Sequence, residues 1–168
     1  MRESHHTMSH GIAYQFLRLG RNLERADMTT RMIDVAVAVR ATASEALQRY
    51  NNSLWISVLR SLSAYQMYRQ YVRRRVRGDD VMQFLLKDRD FPRSITHCLN
   101  ESQAALSNMP RADAAVTQVR LCLDHVETLQ VHDVEPERVR ELLDELQVQV
   151  AVISDVLAST WFDAGDQP

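Results

Sequence analysis

The stretch GIAYQFLRLGRNLERADMTTRMIDVAVAVR, Gly11 to Arg40, decides the fold. Along it Ile12, Phe16, Leu19, Leu23, Ala26, Thr30, Ile33 and Val37 recur at alternating steps of four and three, which lays a mostly apolar seam along one side of a long helix. Beside the seam, Glu24, Asp27, Arg31 and Asp34 form a second stripe, and Arg18, Arg21 and Arg25 a third. Sorted charges of this kind have two readings. They are an ion-pair lattice that fixes helix packing, with Asp27 and Arg31 as one i,i+4 pair, or they line a polar site. Spacing alone favours the lattice.

Outward from this helix, the 168 residues carry only four Gly and four Pro, below the average usage of roughly 7% and 5%. Long helices follow. There is no Asn-Gly or Asp-Gly hairpin signal and no sustained period-two alternation, so no sheet is expected. The predicted fold class is all-α: an up-and-down bundle of five to six helices in one domain, residues 9–162, between a flexible N-terminus at 1–8 and a flexible tail at 163–168.

The first helix is predicted from about Ser9, as N-cap, to about Ala43. Gly20 lies inside it, where glycine costs about 1 kcal/mol against alanine, and the expectation is that it admits another helix closely. The second helix starts at Asn52 or Ser53 and turns Leu54, Trp55, Val58, Leu59, Leu62 and Tyr65 inward. It runs through the basic segment Arg69 to Arg77 and closes at Gly78 in a left-handed position. Asp79 and Asp80 open a short helix through Leu86, and Asp88 to Pro92 form a turn. Pro92 suits the first turn of the next helix, whose inner face is Ile95, Leu99, Ser102, Leu106 and Met109, with Pro110 as its stop. A fifth helix is centred on Val119 and breaks near His132-Asp133, and Glu135-Pro136-Glu137 opens a last one that reaches Trp161.

Composition bounds the function. No apolar run approaches the roughly 20 residues of a membrane helix, and the start lacks the apolar stretch of a signal peptide. A net charge of -2 gives no bulk attraction to nucleic acid. Cys98 and Cys122 are the only cysteines, without metal-type spacing, so a reduced cytoplasmic protein is expected. No Gly-rich phosphate loop, zinc motif or nucleophile elbow occurs, and no metal or cofactor is expected. Glu24 and Asp27 have the spacing of bundle metal carboxylates but lack the Glu-x-x-His elements such sites pair with. The arginines at 69, 73, 74, 75 and 77 read first as solvated helix-end charge. The segment Asp88-Arg89-Asp90-Phe91-Pro92-Arg93-Ser94 reads as a capped turn, or as a place where Arg93 and Ser94 face the first helix and bind an anion.

Three phrases, FLRLGRNLERADMTTRMIDV (Phe16 to Val35), SLWISVLRSLSAYQMYRQYV (Ser53 to Val72) and VMQFLLKDRDFPRSITHCLN (Val81 to Asn100), together resemble the bacterial alpha-E domain family, a domain of unknown function. The resemblance implies a helical domain found beside, or fused behind, a circularly permuted ATP-grasp ligase, often near a transglutaminase-like protein. It implies ATP-dependent amide or peptide bond formation as the setting. The family's polar signature falls on Arg21, Glu24, Arg25, Asp88, Arg93 and Ser94, expected as a shared binding site or docking surface. Family members usually add an earlier half opened by a related Gly-Arg-x-x-Glu-Arg helix, so this chain resembles the later half. A homodimer that replaces the missing packing surface is therefore expected.

The leading expectation is an accessory domain that docks the ligase or its peptide substrate. The first alternative is an enzyme with Glu24 as general base; such a base is tuned by burial, while flanking arginines act the other way. The second is a helical oligomerisation module with its polar stripe fully paired. Whether Glu24, Arg25 and Arg93 surround an open pocket, a closed lattice or a flat surface separates the three.

Overall fold

A computed structural model describes residues 11–43 and 51–162. These form seven helices and no strand: α1 (Ile12–Thr42), α2 (Asn51–Ser61), α3 (Tyr65–Tyr71), α4 (Gly78–Lys87), α5 (Ile95–Leu106), α6 (Asp113–Thr128) and α7 (Pro136–Trp161). The expected flexible ends at 1–8 and 163–168, and Ser9 as a cap, lie outside the described residues.

The seam of α1 is the spine of the core. Leu19, Leu23, Ala26, Thr30, Ile33 and Val37 are buried, while Phe16 is half-buried and Ile12 exposed. Along its length α1 packs on α5 and α7, and α6 packs on both of these, so the four longest helices close into a ring. Short connections at 107–112 and 129–135 make α5, α6 and α7 antiparallel neighbours. Helices α2 and α4 pack on each other and cover one side. At the C-terminus of α6, Lys87 Nζ donates to the carbonyls of Glu127 (2.8 Å) and Leu129 (2.7 Å), satisfying oxygens that a helix end leaves free.

The single second helix expected from the sequence is two pieces, which raises the count to seven. Ser63 is left-handed with φ 55°, and Ala64 N–H bonds back to the Leu59 carbonyl at 2.7 Å, the long bond of a Schellman end. Burial explains the break. On an unbroken helix Tyr68 would lie about 140° round from Trp55, on the side away from the Trp55, Leu59 and Leu62 face. The turn brings Tyr68 into the core, where its ring meets Phe84 edge-on at 5.5 Å and Phe84 stacks on Phe91 at 5.2 Å.

Four further local expectations are corrected. The basic run does not end a helix: residues 72–77 are non-helical, Arg69 donates to the Arg74 carbonyl, and Arg74 pairs with Asp80 at 2.8 Å. Gly78 does not close a helix but begins α4, without a positive φ. Pro92 stands before α5, whose cap is Ser94; its Oγ accepts from His97 N–H at 3.1 Å. Gly20 admits no helix either among the described residues, none of which comes within 4 Å of a Cβ built there.

Candidate functional site

Helix α1 presents Arg21, Arg25, Met28 and Met32 on one flank, with Glu24 on its outer ridge. Ser61 and Leu62 from the end of α2, and Arg93 from the turn before α5, complete an open cleft of about 340 Å³. Arg21 and Glu24 are exposed, and Arg25 and Arg93 are half-buried. Of the three arrangements that separate the functional readings, the structure shows the open pocket.

Arg93 is held by its backbone. Thr29 Oγ1, fully buried on α1, donates to the Arg93 carbonyl at 2.8 Å. Asp88 Oδ1 accepts from the backbone N–H of Asp90 (2.9 Å) and Phe91 (2.7 Å), and the Ser94 hydroxyl donates back to the Asp88 carbonyl. Four of the six sequence candidates, Arg21, Glu24, Arg25 and Arg93, thus line one cleft. Asp88 and Ser94 do not line it; they shape the turn that carries Arg93 into it. Sequence reasoning missed Met28, Met32, Ser61 and Leu62. The two methionines were readable, since they continue the Arg21 and Arg25 flank at helical steps.

The ion-pair lattice exists, but it leaves this cleft out. Arg18 reaches Glu101 on α5 at 2.7 Å, Arg31 reaches Asp27 at 2.7 Å, and Asp34 receives Arg140 of α7 at 2.9 Å. Among the described residues, the side chains of Arg21, Glu24, Arg25 and Arg93 make no hydrogen bond or ion pair, although all four share one cleft.

Neither cysteine lines the cleft. Burial pushes the Cys98 thiol up to about 12, against the opposite pull of the Arg25 and Arg93 charges, so it stays protonated near neutral pH. Burial also pushes Cys122 up to about 12. His125 bridges α6 to α7, with Nδ1 2.9 Å from Gln149 Oε1. Among the described residues no group of three His, Cys, Asp or Glu side chains is placed to hold a metal ion, and no helix is long and apolar enough to cross a membrane.

On the other flank of α1 runs a groove of about 640 Å³ against α7. Phe16, Leu19, Leu23, Val150 and Leu157 form its floor, and Glu24, Asp27, Arg31 and Asp155 its charged rim. Phe16 meets Trp161 at 5.6 Å and Phe162 at 5.0 Å, tying the end of α7 to the start of α1. Glu24 borders both hollows.

Fold and site define an all-helical domain with an arginine-rich cleft on its longest helix. The Alpha-E family, described as a predicted alpha-helical domain with a conserved ER motif, matches residues 4–162, and the chain belongs to it. Glu-Arg occurs twice here: Glu24-Arg25 lines the cleft, whereas Arg138 of Glu137-Arg138 pairs with Glu141 at 2.8 Å on an exposed face of α7. No curated protein and no solved structure matches the chain.

Proposed function

We propose that this is an accessory, interaction domain of an ATP-grasp amide ligase system, and that its arginine cleft holds the carboxylate end of the ligase's peptide substrate. One observation carries the reading: Arg21, Arg25 and Arg93 converge from two distant parts of the chain and find no acidic partner among the described residues. A guanidinium fork matches a carboxylate with two parallel hydrogen bonds. Met28, Met32 and Leu62 supply an apolar wall for the residue attached to that carboxylate. The enzyme alternative has less support, because Glu24 is exposed and lacks the burial that tunes a general base. A purely structural module would have closed its polar stripe into pairs.

The test is physical association with an ATP-grasp ligase and its substrate peptide, for the wild-type chain and for Arg21→Glu combined with Arg93→Glu. Losing charged hydrogen bonds is expected to weaken binding roughly 10- to 100-fold and to lower ligase output. Unchanged binding and output count decisively against the proposal. The homodimer is a second proposal, resting on Val35 and Val39, exposed on α1 about one and two turns beyond Met32, the last cleft residue of that helix. Light scattering on the eluted peak is expected to give twice the chain mass, and a monomer at high concentration removes the dimer.

A further inference from the structure

Gly20 is the unexplained residue of α1. A glycine in a helix interior weakens the helix, and helices keep one where another backbone comes close. Among the described residues nothing comes close: the position is exposed, and an added Cβ meets none of their atoms within 4 Å. Its place is informative. Gly20 lines the groove between α1 and α7, while the next residue, Arg21, lines the arginine cleft, and Glu24 one turn later borders both. The bare backbone at Gly20 is thus a low saddle between two ligand-sized hollows on opposite flanks of one helix.

We propose that the occupant is an extended peptide that crosses α1 over Gly20. Its C-terminal carboxylate lies among Arg21, Arg25 and Arg93, and its preceding apolar side chains fill the groove floored by Leu23, Val150 and Leu157. This rests on the carboxylate-binding reading of the cleft and extends it. Charge fixes the direction. Three arginines demand an anion on one side, whereas Glu24, Asp27 and Asp155 outnumber Arg31 around the groove, so the body of the peptide is neutral or basic. A small free anion satisfies the first hollow and leaves the second, and the glycine, without a use.

The test is a titration of the full chain, labelled with nitrogen-15, by a pool of N-acetylated hexapeptides with apolar and basic interiors and free carboxyl ends. C-terminally amidated versions and inorganic phosphate serve as the comparison probes. The free-acid pool is expected to shift backbone signals of Arg21, Arg25 and Arg93 together with those of Val150, Ala151 and Ala158. Amidation weakens binding about tenfold or more, the loss of a charged hydrogen bond. Gly20→Leu blocks the saddle and weakens peptide binding by a similar factor, while phosphate still shifts Arg93. Gly20→Ala adds one methyl in open space; it raises Tm and weakens the peptide less. The crossing is overturned by shifts confined to the arginine cleft, by peptide binding unchanged in a folded Gly20→Leu chain, or by groove signals that move with protein concentration alone, which would mean a second copy. No response at the arginine cleft to peptide or phosphate overturns the carboxylate-binding reading itself.

Discussion

Asp88→Ala is expected to lower stability by about 2 kcal/mol, or roughly 4–8 °C in Tm for a chain of this size, and to weaken anion binding in a cleft that Asp88 does not line. Its Oδ1 takes two backbone N–H groups, and the buried Phe91 ring depends on the turn those bonds close. The Ser94 hydroxyl then spans from the Asp88 carbonyl to the first turn of α5, so the whole loop from 88 to 94 is one hydrogen-bonded unit. Arg93 rides on it, its carbonyl tied to α1 by the Thr29 hydroxyl. Loosening the loop costs the cleft a cation without changing any residue that touches ligand. Asp88→Asn separates positioning from charge, because the amide oxygen keeps the acceptor. Calorimetric denaturation and phosphate titration should both return close to wild type in Asp88→Asn. If Asn restores stability and leaves binding as weak as Ala, Asp88 acts through its charge, and the positional account is wrong.

Much of this was legible in the sequence, for a physical reason. Helical periodicity is local, so the seam of α1, the inner face of α5 and the Pro136 start of α7 could be read from spacing. Whether a charge is paired is not local. Arg18 is neutralised from 83 residues away by Glu101, and Asp34 from 106 residues away by Arg140, whereas Arg21 and Arg25, on the same stripe as Arg18, pair with no acid among the described residues. The stripe looked uniform because sequence spacing sees one helix at a time. The family signature falls on Arg21, Glu24 and Arg25, which line one cleft, and also on Asp88 and Ser94, which do not. Their hydrogen bonds give those two a different task from the arginines. The same blindness to distant partners hid the break at Ser63, which serves the burial of Tyr68 against Phe84.

Gly78 shows how a correct residue can carry a wrong reason, and it gives the sharpest stability test. After a basic run, glycine suggests a left-handed helix stop, at which alanine is strained and asparagine is tolerated. In the structure Gly78 opens α4, where alanine would improve helix propensity. The obstacle is Trp55: a Cβ at Gly78 falls 2.5 Å from its Nε1 and 2.8 Å from its Cε2. That indole is fully buried, so it has no free space to move into. Forcing one carbon into a packed core costs about 1–3 kcal/mol. Gly78→Ala is therefore expected to lower Tm by several degrees, roughly 2–4 °C per kcal/mol, and to change the tryptophan fluorescence of the folded chain. Asparagine, with more atoms beyond the same Cβ, should be at least as damaging as alanine. Trp55→Phe lacks the indole nitrogen that the new carbon meets, so Gly78→Ala should cost less in that background, a coupling that thermal unfolding of the four chains measures directly. A chain in which Asn is better than Ala, or in which the two substitutions simply add, would return Gly78 to the role its sequence context suggested.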